Sequence, residues 1–357
     1  MTAIRRSLLR WYRANQRDLP WRRTRDPYAI WISETKLQQT RVEAVIPYYE
    51  RFLDRFPDVA ALADADADDV LGAWAGLGYY SRARNLQAAA RQVAQSHGGR
   101  LPDDVDALRA LPGIGRYTAG ALASIAFDRP EPIVDGNVAR VLSRLLGIRE
   151  DIKSPAVVRR LWDEAAALAK GPSPGDLNQA LMELGATVCV PGEPRCPRCP
   201  LRRQCDAQRA GDAAALPVQT KKPPVKSVAA AAAWLPRRGK VLAVRRPPQG
   251  LLGGMWELPG GELEAREEPA AGLHRALRER VGLRVRSAEY VGRVDHLFTH
   301  RRLRLHLFRC DAPEGRTRLA GFDAHRWLSP KALATLPHAA TMRKALALFD
   351  GASAPGT

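Results

Sequence analysis

Residues 111–120 read LPGIGRYTAG, a short turn that joins two stretches with helical patterning. Gly113 and Gly115 permit tight backbone turns and let another group, such as a phosphate, approach the main chain closely. The backbone N–H groups at the start of the following helix favour an anion at the same place. The stretch therefore predicts a phosphate-binding hairpin, although an ordinary Pro-Gly turn between two helices would use the same residues.

The composition indicates a globular and strongly basic protein. The chain has 357 residues, of which 45% are apolar, and 56 Lys and Arg against 38 Asp and Glu give a net charge of +18. Residues 221–310 alone carry 19 basic and 8 acidic side chains. This excess favours nucleic acid as the partner, although surplus arginine from a GC-rich genome would produce it as well.

Hydropathy argues against a membrane protein. The longest apolar run, Val228 to Leu235, has eight residues, whereas a membrane-spanning helix needs roughly 20. The N-terminal stretch MTAIRRSLLRWYR has no apolar run fit for a secretory signal. We therefore expect a cytoplasmic protein without a membrane partner.

The patterning divides the chain into two domains and a linker. Residues 1–215 have mostly helical spacing, with capping signals at Asp26-Pro27 and Ser81. Residues 216–227 are rich in Pro and Lys and predict a stiff, extended linker. Residues 228–350 predict an α+β domain.

The strands of that domain are predicted in two places. Residues 228–247 are typical of two strands around a turn at Arg238-Gly239, and residues 293–310 alternate apolar and polar as a strand pair would. Residues 267–281 are helical between them.

Four of the five cysteines, Cys189, Cys196, Cys199 and Cys205, lie within seventeen residues. An odd total in a chain without a secretory signal argues against disulfides. Four thiolates this close can surround one metal centre, and only one C-x2-C pair is present where zinc sites usually have two. Four-Cys ligation also suits a [4Fe–4S] cluster, so the chemistry alone leaves iron–sulfur and zinc open.

Two carboxylates have the positions that acid–base chemistry requires. On a helix Glu34 shares a face with Ile30, Trp31 and Leu37, and a carboxyl desolvated there has a raised pKa and can act as an acid. Asp135 precedes a helical stretch, where it would cap the helix and stay ionised. The alternatives are a Glu at the edge of the face that reaches solvent, and an Asp that is only a cap or a turn residue.

The chain resembles the adenine-specific mismatch DNA glycosylases, the MutY family of the endonuclease III superfamily. WISETKLQQTRV, GLGYYSRARNL, LPGIGRYTAG, IVDGNVARVL and NQALMELGA occur in the family's order, together with the cysteine spacing x6, x2, x5. The resemblance covers nearly the whole chain. It implies a multidomain protein with an all-α glycosylase domain, a helix-hairpin-helix at 111–120, a [4Fe–4S] loop at 189–205 and an α+β Nudix-like C-terminal domain.

The resemblance also implies roles for individual residues. Glu34 would protonate adenine N7 and Asp135 would stabilise the oxocarbenium ion, with Tyr117 and Asn137 positioning them and the water. Family members that also cut the strand carry a lysine nucleophile at position 117; here it is Tyr, and residues 111–152 contain no Lys, which implies a monofunctional glycosylase. The remaining DNA contacts implied are Trp21 and Arg22 in the adenine pocket, Gly113 and Gly115 in the hairpin, and Gln39, Thr40, Leu77 and Tyr79 on the 8-oxoguanine strand.

The C-terminal domain resembles a Nudix domain whose metal site is incomplete. Gly261 and Glu267 fit the Nudix box, but Arg275-Ala276 replaces Arg-Glu and Glu279-Arg280 replaces Glu-Glu. Because Mg²⁺ needs several oxygen ligands, hydrolysis of pyrophosphates is not expected, and the resemblance implies that the domain reads 8-oxoguanine. The family's Phe-Ser-His loop is Phe298, Thr299 and His300 here, and the added methyl group of Thr shifts the expected contact.

These observations predict a monofunctional glycosylase that excises adenine opposite 8-oxoguanine or guanine by flipping the base out of the duplex. The expected partner is double-stranded DNA, and we expect a monomer associated with the nucleoid. Two alternatives are a Nudix hydrolase fused to a DNA-binding helical module, against which the substituted box argues, and an inactive DNA-binding protein, against which Glu34 and Asp135 argue.

Overall fold

A computed structural model describes residues 1–220, 225–298 and 301–351, which form two compact units. Unit 1 comprises Met1–Asp64 and Asn85–Lys222, and unit 2 comprises Ala65–Arg84 and Pro223–Thr357. The passage between Lys222 and Pro223 falls inside the predicted linker, whereas the excursion of residues 65–84 into unit 2 has no sequence signal.

Unit 1 is helical, as the spacing predicts, and residues 1–220 contain no β-strand. Its helices within residues 1–64 and 85–220 are α1 (Thr2–Asn15), α2 (Pro27–Leu37), α3 (Val42–Arg55), α4 (Val59–Asp64), α6 (Ser81–Ser96, which starts in unit 2), α7 (Val105–Arg109), α8 (Arg116–Ala121), α9 (Gly136–Leu145), α10 (Pro155–Ala169), α11 (Pro174–Thr187) and α12 (Asp206–Ala210).

Helix α2 carries the predicted acid. It begins as the sequence predicts, because Asp26 accepts bonds from the N–H groups of Tyr28 and Ala29 and Pro27 occupies the first helical position. Every side chain from Tyr28 to Lys36 is buried, so α2 runs through the middle of unit 1. A polar residue on this helix is therefore held away from bulk water.

The turn before α8 depends on one of its two glycines. Gly113 has φ +77°, and a Cβ there would lie 2.6 Å from Cβ of Asn85, so no other residue fits without strain. Gly115 has φ −87° and nothing within 4 Å of a Cβ, so the turn itself does not require it. A π-helical turn, Leu122–Ala126, continues α8.

Close packing of α9 on α11 determines where the second carboxylate lies. Asp135 caps α9 by accepting the Val138 N–H at 2.7 Å, as predicted. Opposite, a Cβ on Gly185 of α11 would lie 2.6 Å from Cβ of Asn137. The absence of a side chain at Gly185 thus lets the two helices approach beside the cap.

Unit 2 is built on two sheets, with strand orders β5-β1-β7-β6 and β2-β3-β4, and with β8 also paired to β3. The turn at Arg238-Gly239, expected between the first two strands, joins β2 to β3, while β1 pairs with β7 in the other sheet. The described elements are α5 (Ala67–Trp74), β1 (Lys226–Trp234), β2 (Pro236–Arg237), β3 (Lys240–Arg245), β4 (Trp256–Glu257), β5 (Gly260–Glu262), α13 (Pro269–Val281), β6 (Ala288–Leu297), β7 (Arg301–Cys310), β8 (Ala324–Leu328), α14 (Pro330–Ala334) and α15 (Ala340–Gly351).

The alanine run of β1 separates two cores. Ala230 and Ala232 pack in the cluster that contains α15, whereas Ala231 and Ala233 pack in the cluster that contains α13. Since alternate side chains of a strand face opposite sides, β1 lies between the two helices, and small residues allow both to approach. Among the described residues, no helix is long and apolar enough to span a membrane.

Candidate active site

A cavity of about 460 Å³ in unit 1 contains both predicted catalytic carboxylates. Residues from α2, α8, α9, α11 and the 3-10 turn at Pro20–Arg22 form its walls. The lining includes eight of the residues singled out in the sequence, namely Trp21, Arg22, Glu34, Gln39, Thr40, Tyr117, Asp135 and Asn137.

Glu34 meets the conditions for a general acid. It is only 5% exposed, and burial raises the pKa of its carboxyl to about 7, with Asp135 raising it further and Tyr117 and Arg22 opposing the shift. A carboxyl with this pKa is still partly protonated near neutral pH, unlike an ordinary glutamate, and can deliver its proton. The edge-of-face alternative for Glu34 is thereby wrong.

The Tyr117 hydroxyl lies against Glu34 and has a second acceptor. It donates to Oε2 of Glu34 at 2.8 Å and lies 3.3 Å from Sδ of Met182. Burial and the neighbouring carboxylates raise the pKa of Tyr117 well above its ordinary value. The phenol therefore stays protonated and acts here as a hydrogen-bond donor and not as a nucleophile.

Two hydrogen bonds from residues of its own helix orient the Asp135 carboxylate. Its Oδ1 accepts the Val138 N–H, and its Oδ2 accepts Nδ2 of Asn137 at 3.0 Å. Burial raises the pKa of Asp135, while the bonds from Val138 and Asn137 and the charge of Arg140 lower it. The helix cap by itself would lower the pKa of Asp135, so the upward shift results from burial by tertiary packing.

Arg140 links this carboxylate to the cysteine loop. Its Nη2 donates to Oδ1 of Asn137 at 2.7 Å and to the Gly185 carbonyl at 2.8 Å, and its Nε donates to the Cys189 carbonyl at 2.8 Å. Because the Asn137 amide is held by Arg140, its Nδ2 faces Asp135. The orientation of the carboxylate therefore depends on the start of the loop at Cys189.

A buried ion-pair triad forms another wall of the cavity. The fully buried carboxylate of Glu183 accepts bonds from Arg17 at 2.9 Å and Arg22 at 2.8 Å. Burial by itself would raise the pKa of Glu183, but together the two arginines lower it to about 2. The Arg22 guanidinium also lies over the Tyr12 ring. Trp21 is fixed by an edge contact with Tyr49, at 5.4 Å between ring centroids.

Two residues predicted to meet the lesion strand have strained backbones. Gln39 has φ +57° and Tyr79 has φ +50°, values that are rare for residues other than glycine and cluster at functional sites. Gln39 is exposed, and Tyr79 is 37% exposed while Tyr80 is 4% exposed. Exposure thus agrees with the motif, which favours Tyr79 over its neighbour Tyr80.

Unit 2 has a cavity of its own, of about 360 Å³, that brings three predicted contacts together. Leu77, Tyr79 and Phe298 all line it. Leu77 is otherwise buried, and Phe298 makes an edge contact with His296 at 4.5 Å between centroids. Thr299 and His300 lie outside the described residues.

The four clustered cysteines surround a single small cavity beside Arg144. None of them is in a disulfide. The buried Arg144 donates to Sγ of Cys189 at 3.4 Å and to the carbonyls of Val190, Gly192 and Leu216. Among the described residues, no group of three or more His, Cys, Asp or Glu is arranged to hold a single metal ion.

An arginine binds the carboxylates of the Nudix-like box in unit 2. Arg275 donates to both carboxylate oxygens of Glu267, at 2.8 and 2.7 Å, and to Glu279 at 3.3 Å. Arg280, at a position where the box has Glu, donates to the Gly260 carbonyl at 2.6 Å. The two carboxylates that remain in the box, Glu267 and Glu279, are therefore both paired with Arg275.

Sequence reasoning missed four residues of the catalytic cavity and its surroundings, namely Arg17, Arg140, Met182 and Glu183. Met182 and Glu183 lie within NQALMELGA, and Arg140 follows Asn137 by one helical turn, so the motif and the i+3 spacing were usable signals. Arg17 had none, because its partner is 166 residues away.

Two protein families match different parts of the chain. Residues 32–167 match the HhH-GPD superfamily of base excision DNA repair proteins, and residues 230–348 match the NUDIX domain. The chain is 36% identical to the adenine DNA glycosylase of Homo sapiens, across 100% of this chain and 76% of that protein. It is 35% identical to that of Mus musculus, across 98% and 78%. A solved thermostable thymine-DNA glycosylase is 29% identical with a TM-score of 0.53, covering 58% of this chain and 96% of its own.

Proposed function

The chain belongs to the family of adenine DNA glycosylases, and from that premise we propose that it removes adenine opposite 8-oxoguanine or guanine in double-stranded DNA. As a DNA glycosylase it hydrolyses N-glycosyl bonds. The observation that carries the proposal is the buried Glu34, bonded to Tyr117 in one cavity with Asp135.

The first chemical step is proton transfer from Glu34. Its proton passes to N7 of the flipped adenine, and the bonding pair of the C1′–N9 bond leaves with the base, which departs neutral. Tyr117 then donates to the Glu34 carboxylate that has formed. A positioned acid of suitable pKa contributes roughly 10²- to 10⁴-fold to such a step.

The second step is hydration of the sugar cation. The ionised Asp135 faces the positive C1′ and O4′ of the oxocarbenium ion, in the manner of the two-carboxylate glycoside hydrolases. Water adds to C1′, and its proton returns to Glu34, which restores the acid. Asn137 holds Asp135 in place through its amide, and Trp21 and Arg22 line the space for the base.

Recognition of the opposite strand involves both units. Gln39, Thr40, Leu77 and Tyr79 meet the lesion strand, where Gln39 and Tyr79 insert beside the lesion and offset the cost of flipping. Phe298, Thr299 and His300 read 8-oxoguanine. The exposed tips of Gln39 and Tyr79 support this role, as does the shared cavity of Leu77, Tyr79 and Phe298.

The hairpin at residues 111–120 and the cysteine loop at 189–205 bind the DNA backbone. Gly113 and Gly115 are both exposed, which leaves the backbone of residues 111–120 open to a phosphate. Cys189, Cys196, Cys199 and Cys205 would hold a [4Fe–4S] cluster, which when bound ties the loop into one rigid piece. The side chains of Arg195, Arg198, Arg202 and Arg203 are exposed around it and suit phosphate contacts.

The remaining parts of the proposal concern architecture and setting. Residues 1–215 serve as the glycosylase domain, 216–227 as a linker and 228–350 as the lesion reader. The Glu267–Arg275 pair and the loss of two box carboxylates support a reader rather than a pyrophosphatase. The protein acts as a monomer on nucleoid DNA in the cytoplasm, and Tyr117 in place of Lys supports a glycosylase without efficient strand cleavage.

Single-turnover kinetics on two duplexes test the proposal, one with A opposite 8-oxoguanine and one with A opposite G. Strand breaks are scored with and without hot alkali. Breaks that need alkali and form faster opposite 8-oxoguanine are expected. No adenine loss from either duplex, in protein whose iron and sulfide content shows a complete cluster, would overturn it, and zinc in place of iron would overturn the cofactor assignment.

A further inference from the structure

The hydroxyl of Tyr117 faces two acceptors but has one hydrogen. The hydroxyl oxygen lies 2.8 Å from Oε2 of Glu34, which is on α2, and 3.3 Å from Sδ of Met182, which is on α11. A phenol donates a single hydrogen bond, and a thioether can only accept. The two contacts therefore compete for the same hydrogen.

The competition depends on whether Glu34 carries a proton. An ionised carboxylate is a strong, charge-assisted acceptor and takes the hydroxyl hydrogen. When Glu34 is protonated, Oε2 is either a carbonyl-like oxygen, which accepts less strongly, or itself the donor to Tyr117. Only in the protonated state can the sulfur of Met182 compete.

We propose that Met182 is a positioning residue that accepts the Tyr117 hydroxyl while Glu34 holds its proton, and that the hydroxyl turns to Glu34 as the proton leaves for the base. This inference rests on the proposed glycosylase function. It explains why a thioether, and not a purely apolar side chain, borders the acid in the cavity.

The other charged groups around Glu34 are held by partners of their own. Asp135, from the start of α9, is bonded to Val138 and Asn137. Arg22, from the turn before α2, is paired with the buried Glu183, which also binds Arg17. None of these bonds involves the Met182 side chain, so the effect of a substitution there on the acid reports the bond to Tyr117.

Met182→Leu tests the inference, because leucine has a similar volume but no acceptor. In this variant the Tyr117 hydroxyl should donate to Glu34 at all times, which stabilises the ionised form of Glu34. The pKa of Glu34, which limits the single-turnover rate at high pH, should therefore be lower. We expect that apparent pKa to fall by roughly half to one unit, since a hydrogen bond and a pKa unit are of comparable free energy. The variant should match the wild type near pH 5.5 and be roughly three- to tenfold slower near pH 8.

Two comparisons separate this role from packing. In a Tyr117→Phe background, Met182→Leu should no longer move the pH profile, because the shared hydrogen is gone. Met255→Leu, at a buried methionine of unit 2, is the matched control and should leave the profile unchanged. A Met182→Leu profile that coincides with the wild type overturns the inference, as does an equal shift in the Tyr117→Phe background. Loss of adenine release by the wild type would instead mean that the proposed function is wrong.

Discussion

Nη2 of Arg22 lies 2.8 Å from Oε2 of Glu183, inside the wall of the cavity that contains Glu34. The positive charge of Arg22 lowers the pKa of Glu34. The buried Glu183 carboxylate offsets that charge, because opposite charges this close largely cancel at a third site. The pair thus lets an arginine line the same cavity as Glu34 while lowering the pKa of that acid less than an unpaired arginine would.

Glu183→Gln should destabilise the fold and lower the pKa of Glu34. Arg17 and Arg22 would lose their counterion, and breaking a buried pair from one side is costly, so we expect a loss of roughly 2–4 kcal/mol in the free energy of unfolding. The uncompensated Arg22 should also shift the high-pH limb of the excision rate to lower pH. Urea unfolding and a pH–rate profile measure the two effects.

Asp18→Asn is the matched control for this prediction. Asp18 pairs with Arg23 on the surface, where both side chains are mostly exposed, and exposed pairs contribute little. Its unfolding and pH profile should both match the wild type. Equal stability of Glu183→Gln and wild type would show that the triad is not a structural element.

Glu34→Gln should bind mispaired DNA and fail to release adenine. The amide keeps the size of the side chain but has no proton to give, so the single-turnover rate should drop roughly 10²- to 10⁴-fold. Glu50→Gln, at an exposed position of α3, is the control. Near-wild-type turnover by Glu34→Gln would exclude the general-acid role.

The same substitution should stabilise the protein at high pH. Glu34 has a pKa of about 7 in the folded state and an ordinary value when unfolded, so the unfolded chain releases its proton first. The stability of the wild type should therefore fall as the pH rises from about 4.5 to about 7, by roughly 3 kcal/mol from this group. Because the glutamine does not titrate, the free energy of unfolding of Glu34→Gln should not show this loss. Its stability relative to the wild type should therefore be higher at about pH 8 than at pH 4 by the same amount, as measured by chemical unfolding. A constant difference across this range would contradict the raised pKa.

Arg140→Gln should slow excision without removing a group that touches the base or sugar. The shorter amide cannot reach Asn137, Gly185 and Cys189 together, so Asp135 would lose its fixed orientation. Small displacements of a catalytic group cost up to about 10²-fold, and we expect roughly ten- to a hundredfold. Single-turnover rates and iron content are measured together, with Arg159→Gln on the exposed face of α10 as the control. An unchanged rate would show that the link to the loop does not orient Asp135.

The two hairpin glycines should respond differently to alanine. Gly113→Ala places a Cβ 2.6 Å from Asn85 at φ +77° and should lower stability by roughly 1–3 kcal/mol. Gly115→Ala meets nothing within 4 Å, so stability should be unchanged while DNA affinity falls, because the methyl group occupies the space a phosphate would take. Thermal unfolding and duplex binding measure these effects. Unchanged binding by Gly115→Ala would remove this residue from the DNA interface.

Local signals in the sequence were sufficient for the helices that carry the chemistry. Asp26-Pro27 fixed the start of α2, and the apolar spacing around Glu34 predicted its burial, which the structure confirms. Asp135 was predicted as a cap for the same local reason. Such features depend on residues within one or two turns, and so they can be read without knowing the fold.

The strand pairing of unit 2 follows from the sequence only in part. The alternation of β6 and β7 predicted their pairing correctly, because a hairpin is local. The predicted pairing of the first strand with the strand after Arg238-Gly239 is wrong, since β1 pairs in parallel with β7, some 75 residues later. A run of alanines buried on both faces has no alternation from which a partner could be chosen.

By itself the sequence determined the acid on an apolar helix face, the capping aspartate, the four clustered thiols and the incomplete Nudix box. Only the tertiary structure decided that Glu34 meets Tyr117, 83 residues away, that Arg17 and Arg22 share Glu183, and that Arg140 joins Asn137 to Cys189. Proton affinity and ion pairing depend on burial and on distances across helix interfaces. Those quantities exist only once the helices have packed together.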